Sequence, residues 1–183
     1  MEVKSTKLLF LYRSFLFKFT KFETKDKNLK EIVEALNIKN KKERIEYVYN
    51  EAIKVINKYY SKDLCKFKDN KCIAQRKQNR DDLNGCCPNF CLYSSNKGCR
   101  TCNIPCKLLY CKTALGNMKA LKLRDIVILK TLPKGSIIIL KTSYFNSKET
   151  ILKDLYYGII IYMLKYLYRE FKLDLRMIKY KNK

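Results

Sequence analysis

Gly85-Cys86-Cys87-Pro88-Asn89-Phe90-Cys91, Gly98-Cys99-Arg100-Thr101-Cys102 and Pro105-Cys106-Lys107-Leu108-Leu109-Tyr110-Cys111 are the dense parts of one segment, Cys65 to Cys111. That segment also includes Cys72, and it holds all nine cysteines of a 183-residue chain. It carries Gly85, Gly98, Pro88 and Pro105, few long apolar side chains and no periodic pattern. Such a stretch cannot bury enough apolar surface to offset the entropy of ordering it, so crosslinks through sulfur must do so. The fold is therefore expected to be ordinary on both sides of this segment and metal- or disulfide-ordered within it.

Disulfides and metal differ by compartment. The apolar run Leu8 to Phe17 is interrupted by Arg13 and followed by lysines, with no small-residue cleavage site, so it does not read as a signal peptide. An odd number of thiols also argues against complete pairing. The expectation is a cytoplasmic protein with thiolate–metal bonds. Histidine is absent, which excludes Ser-His, Cys-His and His-based zinc hydrolase chemistry. Cys99 and Cys102 are spaced C-x2-C, which lets a short turn aim two sulfurs at one metal at about 2.3 Å. Cys87 and Cys91, and Cys106 and Cys111, are spaced to share a site as well. All-sulfur donor sets suit Zn²⁺ or iron, including a [4Fe–4S] cluster.

The spacing Cys86-Cys87, Cys91, Gly98-Cys99, then Pro105 and Cys106-Lys107-x3-Cys111 resembles the YkgJ-type cysteine-cluster family, whose members are described as zinc- or iron-chelating proteins. The resemblance covers about a quarter of the chain. It implies Cys72, Cys86, Cys87, Cys91, Cys99, Cys106 and Cys111 as ligands. The family places a cysteine close before the doublet, whereas here Cys72 stands well upstream of it. Cys102 has no clear counterpart in the family and enters the ligand set through its C-x2-C spacing. Cys65 also lacks a counterpart and is the least expected ligand, so serine there should matter less than at Cys87, Cys106 or Cys111.

Outside the segment the pattern is helical. Leu29, Ile32, Val33 and Leu36 repeat at i, i+3, i+4, i+7 behind Asp26 as cap. Ile45, Val48, Tyr49, Ala52, Ile53, Ile56, Tyr59 and Tyr60 keep the period from about Lys42 to Ser61. The short link between them predicts a helical hairpin. Residues 1–26 are apolar but irregular and specify no element. Met118 to Arg124 reads as a helical turn. Ile126 to Leu129 and Ile137 to Leu140 flank Leu132-Pro133-Lys134-Gly135, a turn signal, and are expected to pair as a β-hairpin, with two short helices as the competitor. Asn146-Ser147-Lys148-Glu149 has capping-box spacing and opens a long C-terminal helix running to Phe171 or beyond. Its apolar run from Leu155 to Leu164 is too short to span a bilayer. It is expected to be a buried core helix, the competitor being an interfacial helix with Lys165, Arg169, Lys172 and Arg176 at a lipid surface. The fold class is thus mainly α, in one compact domain of three parts, 1–64, 65–111 and 112–183.

The 40 Lys and Arg against 17 Asp and Glu give a formal charge of +23. A field of that size attracts nucleic acid or another polyanion. The excess is spread over all three parts, which also fits compositional drift toward Lys, Asn, Ile, Tyr and Phe. No glycine-rich phosphate loop can be built from Gly85, Gly98, Gly116, Gly135 and Gly158. The radical-SAM triad fails because Ser94 stands where its third cysteine belongs. No catalytic residue is indicated. The reading is a metal-binding protein with a structural or sensing all-cysteine site. A basic zinc module that binds nucleic acid and an iron–sulfur redox protein are the alternatives.

Overall fold

The structure is a computed structural model that describes residues 2–6, 21–60, 64–66, 68, 71–78, 94–95, 98–99 and 103–181. These residues are mainly helical, as the periodicity predicted. Asp26 caps a 3-10 turn, Lys27–Leu29, accepting from the Asn28 N–H at 2.8 Å. α1 follows directly (Lys30–Asn37) and buries Ile32, Val33 and Leu36. With Val3, Phe22 and Leu29 these form a satellite core, and Asn37 clamps it by exchanging two 2.8 Å hydrogen bonds with the Phe22 backbone.

α2 (Lys41–Tyr59) is the spine of the main core. Asn40 caps it, and Ile45, Val48, Tyr49, Ala52 and Ile56 turn one buried stripe inward. Burial of Ile45, Val48 and Ile56 stabilises each by about 1.5–3 kcal/mol relative to exposure. Tyr59, expected in that stripe, is instead largely exposed and donates its hydroxyl to Lys119 O at 2.9 Å. The hairpin of α1 and α2 forms as expected, with the Tyr47 hydroxyl donating to Glu34 Oε2 at 2.5 Å. Burial and that bond beside the Glu34 carboxylate push the Tyr47 phenol well above its usual range.

Within the cysteine segment and just after it the elements are short: α3 (Ile73–Gln78), a two-residue antiparallel ladder of β1 (Ser94–Ser95) with β2 (Gly98–Cys99), α4 (Ile104–Leu108) and α5 (Lys112–Leu115). The helical turn expected at Met118 to Arg124 is confined to a 3-10 turn, Leu123–Asp125.

The β-hairpin expected from Ile126–Leu129 and Ile137–Leu140 is not what forms. Val127–Thr131 is a 3-10 turn and Lys134–Thr142 is a helix, α6. Ser136, Ile139 and Leu140 are buried while Ile138 is exposed, which is a helical rather than an alternating pattern. Pro133, at φ −54°, starts the helix instead of making a hairpin turn.

The C-terminal helix is also two helices. α7 (Lys148–Tyr157) and α8 (Ile159–Lys181) are separated by Gly158 at φ +88°, ψ 179°, a conformation open essentially to glycine alone. The cap is Ser147, not Asn146: Ser147 Oγ accepts from the Thr150 N–H at 3.1 Å. Ile151 and Leu155 of α7 are buried, but α8 departs from the expectation of a buried helix. From Ile160 to Lys172 its side chains are exposed, except for the half-buried Tyr162 and Glu170. Among the described residues no helix is long and apolar enough to cross a membrane.

Candidate metal centre

Two features of the fold bring the ends of the cysteine segment together. The first is a closed loop just after α2. The Ile73 N–H donates to Cys65 O at 2.8 Å, and Lys68 and Lys71 exchange backbone hydrogen bonds of 2.9 and 3.0 Å. Cys65 therefore lies opposite Ile73, the residue after Cys72, across the base of the loop. The backbone N–H of Cys72 is in turn fixed by Gln75 Oε1 at 2.8 Å, and the residue is buried. Arg76 ties the same loop by donating to the Lys66 carbonyl.

The second is the packing of α3 against α5. Cys72 immediately precedes α3, and Cys111 is the N-cap of α5. The packing thus joins the two flanks of the segment. Cys111 Sγ accepts from the Ala114 N–H at 3.4 Å, which fixes the sulfur at the start of the helix.

Cys106 sits on α4, whose position is set by α2 and by the α6–α7 connection. The Ile104 N–H donates to the buried hydroxyl of Tyr49 at 3.2 Å. Asn103 is fully buried and caps α4, accepting from the Cys106 N–H at 3.0 Å. Its amide donates to Ser143 O at 2.6 Å and Asn146 O at 2.9 Å. The connection so held contains Phe145 at φ +62°, a left-handed conformation that costs a non-glycine residue about 1 kcal/mol or more. In that conformation the Phe145 N–H donates to Cys106 Sγ at 3.4 Å.

Cys65, Cys72, Cys106 and Cys111 are thiols, not disulfides. Among the described residues no three His, Cys, Asp or Glu side chains converge tightly enough to hold an ion on their own. Cys99 contributes its backbone to the ladder with Ser94. Cys86, Cys87, Cys91 and Cys102 lie outside the described residues. The donor chemistry fits a soft metal: reduced thiols, two of them receiving backbone N–H bonds at sulfur.

Sequence reasoning passed over Asn103 and Tyr49, which aim α4. Asn103-Ile104-Pro105 carries a legible signal, an Asn cap followed by proline in the first turn. Tyr49 had none, since its spacing marks it only as core. A cleft of about 360 Å³ adjoins α4, lined by Pro105, Leu108, Lys122, Arg124, Lys141 and Tyr144 among others. Comparison with family models, curated proteins and solved structures returns no match.

Proposed function

We propose that the chain is a metal-binding protein of the YkgJ-like kind, in which cysteine thiolates hold Zn²⁺ or iron in a structural or sensing role. The observation that carries the reading is the packing of α3 on α5, which joins the Cys72 and Cys111 flanks of the cysteine-rich segment. Cys72, Cys86, Cys87, Cys91, Cys99, Cys102, Cys106 and Cys111 are the proposed donors. Cys65, whose carbonyl faces Ile73 across the loop, is the least expected donor. A bound metal would crosslink the segment and neutralise its thiolates. The protein's own part is to present reduced sulfurs with N–H bonds already aimed at them. Thiols of this kind belong in a reducing compartment, which supports a cytoplasmic location.

The test is metal and sulfide analysis with an absorption spectrum on protein purified without oxygen. Stoichiometric zinc without visible absorption identifies a structural or sensing zinc site. Iron with sulfide and a brown colour identifies a cluster and favours the redox alternative. Serine at Cys72, Cys106 or Cys111 is expected to lower metal content and melting temperature together. Absence of metal, or metal content indifferent to every Cys→Ser change, overturns the proposal.

A second reading rests on the cleft beside α4. Lys122, Arg124 and Lys141 line it, an arrangement that suits a phosphate of nucleic acid or another polyanion. RNA or DNA affinity that falls with log salt, and whose slope shrinks by about one for each of these cations replaced by Gln, supports it. Salt-independent binding removes it.

A further inference from the structure

α8 is the exposed apolar element of the described structure. Its first two turns are held to the body. Ile159 approaches Gly135, Tyr162 OH meets Thr142 Oγ1 at 2.8 Å, and Lys165 Nζ bonds the buried Asp154 carboxylate at 2.7 Å. The opposite side is bare. Ile160 is 74% exposed, Leu164 58%, Leu167 59% and Phe171 62%. These four recur at i, i+4, i+7 and i+11 and form one stripe, with Tyr168 at its edge, over an arc of about 100°. Arg169 and Lys172 form a second stripe along that edge, in line with the Asp154-paired Lys165, and the sequence continues its spacing to Arg176. Glu170 lies on the half-buried side, away from the apolar stripe.

We infer that α8 is an in-plane docking element for an anionic phospholipid surface, with its apolar stripe in the headgroup–acyl boundary and its basic edge on the lipid phosphates. The inference is independent of the metal reading. Charge selects the occupant. A second copy would bring two chains of net charge +23 together along basic edges, which opposes self-association. A lipid surface satisfies both stripes at once, since long Lys and Arg stems can follow the apolar arc while their heads reach phosphate. The helix lies on the surface and does not cross it, which agrees with its charged residues.

The chain lacks tryptophan, so Phe171→Trp supplies a single reporter. The full-length variant is expected to emit as a water-exposed indole in buffer. It should shift to the blue and co-sediment with vesicles of phosphatidylglycerol and phosphatidylcholine, bind pure phosphatidylcholine more weakly, and release as salt rises. Arg169→Gln with Lys172→Gln should lower partitioning by about tenfold or more. Leu164→Glu with Leu167→Glu should abolish it without moving the melting temperature, because both side chains are exposed. Three results would overturn the inference: neither shift nor co-sedimentation on anionic vesicles, emission already blue in buffer, or a dimer in light scattering that the two Glu substitutions dissolve. The last two mean that the stripe is already covered by protein.

Discussion

Asn103→Ala tests the junction on which α4 and Cys106 depend. Asn103 is fully buried, and its side chain makes three hydrogen bonds, one from the Cys106 N–H and one each to the carbonyls of Ser143 and Asn146. Truncation removes the N-cap of α4, at about 1 kcal/mol. It also leaves two carbonyls without their donor, at about 1 kcal/mol each when water cannot replace it. The expected loss is thus about 3 kcal/mol, which for a chain of this size lowers Tm by roughly 6–12 °C. Urea unfolding followed by far-ultraviolet circular dichroism, with metal chelated from both proteins, measures it directly. Asn103→Asp separates the two halves of the argument. It keeps the acceptor for the Cys106 N–H but turns an oxygen toward two carbonyl oxygens. It should be at least as damaging as alanine at neutral pH. Repulsion and burial raise the pKa of that new carboxyl, so the protonated form stabilises the fold; this contribution is present at low pH and lost as pH rises. The gap between the Asp variant and the parent protein should therefore narrow as pH falls toward about 4. A loss below about 1 kcal/mol for Asn103→Ala, or an Asp variant as stable as the parent at pH 7, would refute this account of the junction.

Gly158→Ala meets no atom within 4 Å, so its cost is purely that of φ +88°, about 1–3 kcal/mol, read by thermal unfolding. A neutral result would mean that α7 and α8 join in another conformation. Gly135→Ala differs in kind: its methyl would fall 2.7 Å from Ile159 Cβ. It should destabilise by about 1–3 kcal/mol, and Ile159→Gly on the same chain, which removes that Cβ, should recover part of it in a double-mutant cycle. Purely additive effects would contradict the close approach. Because the Tyr47 phenol is raised in the folded state, its contribution is complete below the ordinary tyrosine value of about 10 and is lost as pH rises beyond it. The alkaline fall in stability should be shallower in Tyr47→Phe, and an unchanged pH profile would remove that role.

The helical hairpin was legible because its apolar residues keep one period for many turns, and the Asp26 cap lay where such a cap must lie. The short elements were less so. Ile137 to Leu140 is apolar throughout, and over four residues a continuous run cannot distinguish a strand from a helix. Burial against α7 and α8 decided for the helix. The cap moved from Asn146 to Ser147 because both residue types suit the position and only the path of the α6–α7 connection, fixed by Asn103, chooses between them. Of the candidate centre, the clustering of the cysteines could be read from the sequence. The backbone bond at the Cys106 sulfur could not, since Phe145 donates from 39 residues away.

By itself the sequence determined the helical class, the hairpin and the charge, because each follows from composition or from a local period. Only the tertiary structure decided that the flanks of the cysteine segment meet through α3 and α5, that Gly158 breaks the last helix, and that α8 turns its apolar stripe outward. These depend on contacts between residues far apart in the chain and on a single backbone torsion, and a one-dimensional pattern carries neither.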